Sequence, residues 1–171
     1  APAWQSVIDF IERTLGYDTI RGAEFFIDVY VMVGINMFFV PRDYENVFGA
    51  VTKYIHRDKV VGVGEIGLEP RSETCPDLGK QEEIVKFFLQ IAKEYDKTVL
   101  FHTPPTDRPK WVERYFKLIE NAKLDPQRVI ISHVDSSILG MVTDLGCIAG
   151  ITVQPWRKMT PADVAKMMKN A

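Results

Sequence analysis

The chain has 171 residues, 46% hydrophobic and 26% charged, a balance that suits one globular domain over residues 1–171 with a sizeable core and argues against disorder. Its formal net charge of −2 excludes the broad basic surface of a protein that holds nucleic acid by charge alone. Cys75 and Cys147 sit in no Cys-x-x-Cys or Cys/His cluster and read as free thiols of a reducing, cytoplasmic compartment.

The opening residues contain no basic stretch leading into an apolar one, so no signal peptide is expected. Trp4 to Leu15 reads as a helix, and "FFIDVYVMV" (25–33) as a first strand covered on both faces. The longer apolar run 25–40 is broken by Asp28 and Asn36 and falls short of the roughly 20 residues of a membrane span. No membrane partner is expected. A helix over 43–57 follows behind Asp43, a candidate N-cap, with Tyr44, Val47, Val51, Tyr54 and Ile55 at helical spacing. Then come the strand "KVVGVGEIG", a loop over 69–79 and an amphipathic helix from Lys80 to Tyr95. The alternation continues through the strand "KTVLFH", the helix "PKWVERYFKLIENA", the strand "RVIISH", the helix "SSILGMVTDL" and the strand "GCIAGITVQ". A last helix, "TPADVAKMMKN", has Thr160 at its N-cap and Pro161 at its first position.

Strands alternating with helices imply a parallel sheet with helical crossovers. Five strands are too few for a complete (β/α)₈ barrel, which takes about 250 residues, so the count favours an open sheet or an incomplete barrel.

Glu65, His102 and His133 each fall at the carboxyl end of a strand, where parallel α/β folds gather their chemistry. Two imidazoles and a carboxylate there suit zinc or another divalent ion that activates a water. His56, by contrast, closes a helix ahead of a strand, at the opposite end of the sheet, and reads as structural.

Gly62, Gly64 and Gly67 spell a literal G-x-G-x-x-G, but "LEPRSETCPDLG" follows, with Pro70 and Pro76 and no helical pattern to receive a pyrophosphate. No dinucleotide cofactor is expected. Strand alternation places Val61, Val63 and Glu65 on one face, inward in a barrel, and Gly62, Gly64 and Ile66 on the other, where the glycines would let an outer helix pack closely.

"VVGVGEIGLE", Gln81 opening the helix that runs on through "FFLQIAKEYDKTVLFHTP", "VIISHVD" and "GCIAGITVQP" occur in this order. Together they resemble the TatD-related metal-dependent hydrolases of the amidohydrolase superfamily, most closely an uncharacterised archaeal branch. The resemblance implies a TIM barrel of which strands three to seven are present. It also implies one or two divalent ions (Zn, Mg or Mn), held by Glu65 from the fourth strand, His102 from the fifth and His133 from the sixth. Two features of the family pattern are missing. No H-x-H occurs anywhere, and the chain ends before the strand that carries the family's aspartate, so the sequence reads as part of a longer chain. Asn36 stands where relatives tend to carry a histidine.

Hydrolysis of a phosphodiester, as by a DNase, or of an amide or ester by a metal-activated water is the implied activity. The substrate would be a nucleic acid or a small molecule, and Glu65 would act in catalysis as well as in binding the ion. Thr103, Arg108, Asp135 and Gln154 lie just past strand ends as candidate substrate contacts, with anion binding for Arg108 and a helix N-cap as the competing role of Asp135. Trp156 and Arg157 would line the mouth. The alternatives are a non-catalytic metal-binding or structural barrel fragment, completed by a further segment or by a homo-oligomer, and a nucleotide-binding α/β domain with a helix starting at Gly67.

Overall fold

The computed structural model describes residues 3–71, 75–154 and 159–169. Its centre is a five-stranded, all-parallel sheet with strands paired in chain order: β1 (Val31–Val33), β2 (Val60–Gly67), β3 (Thr98–His102), β4 (Val129–Ile131) and β5 (Ile148–Ala149). The sheet does not close on itself, so β1 and β5 are edges. Helices α1 (Trp4–Arg13) and α2 (Thr19–Glu24) precede it, joined by a π-helical turn, and α3 (Glu45–Val51), α4 (Leu78–Glu94), α5 (Arg108–Ala122) and α6 (Leu139–Asp144) are the crossovers. Helix α7 (Pro161–Lys169) follows β5. Among the described residues, no helix is long and apolar enough to cross a membrane.

Register divides the side chains of the sheet into two faces. Val33, Val63, Val99, Phe101, Val129 and Ile131 are buried among the crossover helices. Met32, Leu100 and Ile130 point the other way and are only half-buried, and Ile148 beside them is 49% exposed. One face is therefore a core and the other is open.

The expected face assignment of β2 does not hold. A register shift between Gly64 and Ile66 breaks the alternation, so Val63 turns to the helices while Glu65 turns to the open face. The glycines make room for β3, not for an outer helix. A Cβ on Gly64 (φ 147°) would lie 2.7 Å from the Leu100 carbonyl oxygen, and one on Gly67 (φ 156°) 2.7 Å from the His102 carbonyl oxygen.

Most helices form close to their expected places, while strands are shorter at the edges. The expected first strand is ordered as a strand only over Val31–Val33; Phe25, Phe26, Ile27 and Tyr30 are exposed, and Phe26 has a left-handed backbone (φ 57°). An edge strand has one neighbour, and β1 meets β2 only from Val31 onward. The strand expected at 146–154 is similarly reduced to Ile148–Ala149 at the other edge. The helix expected over 43–57 stops at Val51 and continues as turns that keep Ile55 buried. Helix α6 starts later than expected because the Asp135 carboxylate accepts from the Ser137 N–H in a tight turn. Helix α4 is capped by Asp77, which accepts from the Lys80 N–H, and Thr160 and Asp163 form a reciprocal cap on α7.

Candidate metal centre

Glu65 sits within β2, His102 closes β3, and His133 lies two residues beyond β4. One ligand atom from each falls within 4.8 Å of the others. His102 Nδ1 is 3.4 Å from Glu65 Oε2, and His133 Nε2 is 3.7 Å from Glu65 Oε1, so a single carboxylate faces both imidazoles. The two rings stand edge to face, 5.0 Å apart. Both ring nitrogens of His102 are buried with no hydrogen-bond partner. Orphaned imidazole nitrogens beside a carboxylate fit a divalent cation, which accepts nitrogen and oxygen donors.

Local chemistry prepares each of the three. Ser132 Oγ donates to Glu65 Oε1 at 2.8 Å. Burial works against ionisation of Glu65, but the His102 and Ser132 contacts outweigh it and hold the carboxyl below its ordinary range. His133 adopts a left-handed backbone (φ 59°), costly for a non-glycine residue and typical of sites where the surrounding fold dictates a side chain's direction. Its Nδ1 pairs with Thr152 Oγ1 at 2.7 Å, which leaves Nε2 turned toward Glu65.

A second group lies behind His102. Glu69 is a buried carboxylate bonded by Arg71 through Nε at 2.8 Å and Nη2 at 2.6 Å, with Glu69 Oε2 3.7 Å from His102 Nε2. Burial raises the Glu69 carboxyl, and the Arg71 contacts more than offset it, so the net shift is downward. Buried Gln81 clasps the Glu69 backbone, accepting from its N–H at 2.7 Å and donating to its carbonyl at 3.1 Å. Tyr115 OH donates to the His102 carbonyl at 2.7 Å and accepts from the Leu68 N–H at 2.9 Å, tying the ends of β2 and β3 together. Phe38 stands edge-on to His102, with the Arg71 guanidinium 5.9 Å from its own ring centre.

The other residues singled out in the sequence fall around this group or away from it. Arg108 and Asp135 form an ion pair that joins the β3–α5 and β4–α6 loops, so the cation expected to bind an anion already has an internal partner. Asp135 does not take the expected helix N-cap position, which falls to Ile138; its carboxylate accepts from the Ser137 N–H and hydroxyl in the turn ahead of α6. Thr103 is buried. Gln154 is exposed, its backbone bonded to the Met159 carbonyl. Trp156 and Arg157 lie outside the described residues. His56 is exposed beside Tyr95, remote from the cluster as expected. The Asn36 side chain accepts from the Phe38 N–H, capping a short 3₁₀ turn. Leu68 to Arg71 are non-helical and the next helix starts at Leu78, which removes the basis for a pyrophosphate site after Gly67. Glu69, Thr152, Ser132 and Tyr115 were not singled out from the sequence; only the position of Glu69, four residues beyond Glu65, hinted at a role.

The TatD related DNase family matches residues 15–170, nearly the whole of the sequence. The chain belongs to this family. An uncharacterized metal-dependent hydrolase of Methanocaldococcus jannaschii is 25% identical over 163 residues, 95% of this chain and 62% of that protein. The crystal structure of a TatD-like protein from Archaeoglobus fulgidus is 27% identical and superposes with a TM-score of 0.76 over 91% of this chain and 62% of that one. A TatD homologue of Escherichia coli K12 shares the fold, with a TM-score of 0.57 at 22% identity over 78% of this chain and 51% of that one. This TatD-family chain therefore spans about 62% of the length of the archaeal relatives that it matches.

Proposed function

We propose that this TatD-family chain belongs to a metal-dependent hydrolase in which Glu65, His102 and His133 hold a divalent ion. The convergence of these three side chains, with both nitrogens of His102 buried and without a hydrogen bond among the described residues, carries the reading. A bound ion supplies Lewis acidity and an activated water. The protein contributes the rest. Glu65 stays ionised at neutral pH and offers its oxygens, Ser132 steadies that carboxylate, and Thr152 holds His133 with Nε2 toward the centre. The nitrogen-rich donor set favours zinc over magnesium.

A phosphodiester is the first substrate class, supported by the family's description as TatD related DNases, with amides and esters behind it. The net charge of −2 supports recognition through the ion rather than through a basic surface. The two free thiols support a cytoplasmic location. The open sheet face and the free edges of β1 and β5 support a further segment or a second copy that covers them. The same openness favours the second reading, a metal-binding barrel piece that does not catalyse by itself.

Elemental analysis of the purified protein, with Glu65→Ala, His102→Ala and His133→Ala beside it, tests the centre. Each substitution is expected to reduce bound zinc to background. Unchanged metal content in all three would refute the site. Assays with a DNA oligonucleotide and a p-nitrophenyl ester then separate the substrate classes.

A further inference from the structure

His102 lies between two carboxylates. Glu65 Oε2 is 3.4 Å from Nδ1, and Glu69 Oε2 is 3.7 Å from Nε2, on the opposite edge of the ring. The two acids differ in environment. The Glu65 side chain is 28% exposed toward the centre, whereas that of Glu69 is fully buried. A buried carboxylate is retained only where it is paired and bonded. Arg71 meets that demand with Nε and Nη2 on the two oxygens and its own backbone N–H on Oε1. Gln81 clamps the Glu69 main chain from both sides, and Phe38 stands against both His102 and Arg71. So much fixed structure around one acid is aimed at the far nitrogen of His102.

We propose that Glu69 is a positioning residue: it accepts a hydrogen bond from His102 Nε2–H, so that Nδ1 keeps its lone pair and faces the ion. Histidines that bind metals commonly donate their other N–H to a carboxylate, which sets the tautomer and ring direction and raises basicity. At 3.7 Å the two atoms stand just outside hydrogen-bond distance, and the positioning role requires the ring to approach Glu69 when an ion engages Nδ1. Arg71 acts one step further out, keeping the Glu69 carboxylate directed at the ring. His133 is served differently, by the neutral hydroxyl of Thr152. The two imidazoles are thus held by different partners, a carboxylate for His102 and a hydroxyl for His133.

The inference rests on the proposed metal centre, and its test separates the two. Zn²⁺ is titrated into the wild-type chain, Glu69→Gln and Glu65→Ala against a chromogenic chelator. In parallel, the imidazole protons of the Zn²⁺-loaded wild type are observed by ¹H–¹⁵N NMR. Glu69→Gln preserves shape and the Gln81 clasp, so its circular dichroism should match wild type while its Zn²⁺ affinity falls roughly 10- to 100-fold. The loaded wild type should show a downfield, slowly exchanging His102 Nε2–H, shifted upfield in Glu69→Gln. Should Glu69→Gln fail to fold, the wild-type NMR signal decides alone. Wild-type affinity in Glu69→Gln, or zinc bound through Nε2 of His102, overturns the positioning role while leaving the centre intact. Zinc binding that is absent in wild type or unaltered in Glu65→Ala overturns the centre, and the positioning role with it.

Discussion

Thr152 shows how little of a site's support is written in residue type. A threonine past a strand draws no attention in a sequence, yet its hydroxyl pairs with His133 Nδ1 at 2.7 Å. Thr152→Val keeps the shape and removes that partner, and should weaken zinc binding roughly 10-fold, read by chelator competition. Asp135 reads in the sequence as a helix N-cap, but its carboxylate holds only the turn ahead of α6, and the structure adds Arg108 as its ion-pair partner. Burial raises its carboxyl, while the Ser137 bonds and the Arg108 charge lower it further, for a net value below the ordinary 3.8. A folded-state pKa below the unfolded one means that the unfolded chain binds more protons across that interval. The Asp135 contribution is therefore complete above about pH 4 and disappears as the pH falls through the folded-state value. Asp135→Asn should cost up to about 1 kcal/mol in urea unfolding near neutral pH, since the pair is partly solvated, and the gap from wild type should close as the pH falls through the folded-state value.

At the scale of elements, β2 and β3 carry two of the three central side chains, and glycines line the seam between them. The literal G-x-G-x-x-G is an expression of that seam: Gly64 and Gly67 face carbonyls of β3 at distances that no Cβ tolerates. Tyr115, delivered by α5 and stacked on Phe101 with ring centres 4.4 Å apart, bridges the two strand ends through its hydroxyl. Tyr115→Phe would leave the Leu68 N–H and the His102 carbonyl without that buried partner and should cost about 1–3 kcal/mol, measured by urea denaturation. Gly67→Ala should cost more, because a methyl group would push against the His102 carbonyl in a backbone region that disfavours alanine. Helices such as α4 and α5 were legible from apolar periodicity. The edge strands were overextended because the length of an apolar run does not reveal where a neighbouring strand stops pairing.

The whole molecule is a sheet with one face in the core and the other half-exposed. That asymmetry is measurable. Ile131, buried against the helices, should lose about 2–5 kcal/mol as Ile131→Ala, whereas Ile148→Lys on the open face should stay within about 0.5 kcal/mol of wild type. A large loss for Ile148→Lys in chemical denaturation would show that a second copy covers that face in solution.

By itself, the sequence determined the parallel α/β class, the family and the three central side chains. The class follows from the alternation of strand and helix patterns, the three side chains from ionisable residues at apolar strand ends, and the family from the resemblance of the motifs around them. Tertiary structure alone decided which face of β2 presents Glu65, because that depends on a register shift against β3 that alternation does not encode. It also decided that Glu69 stands behind His102, that Thr152 holds His133 and that Arg108 pairs with Asp135. Those contacts join residues from different elements, and their geometry exists only once the sheet has brought the strand ends together.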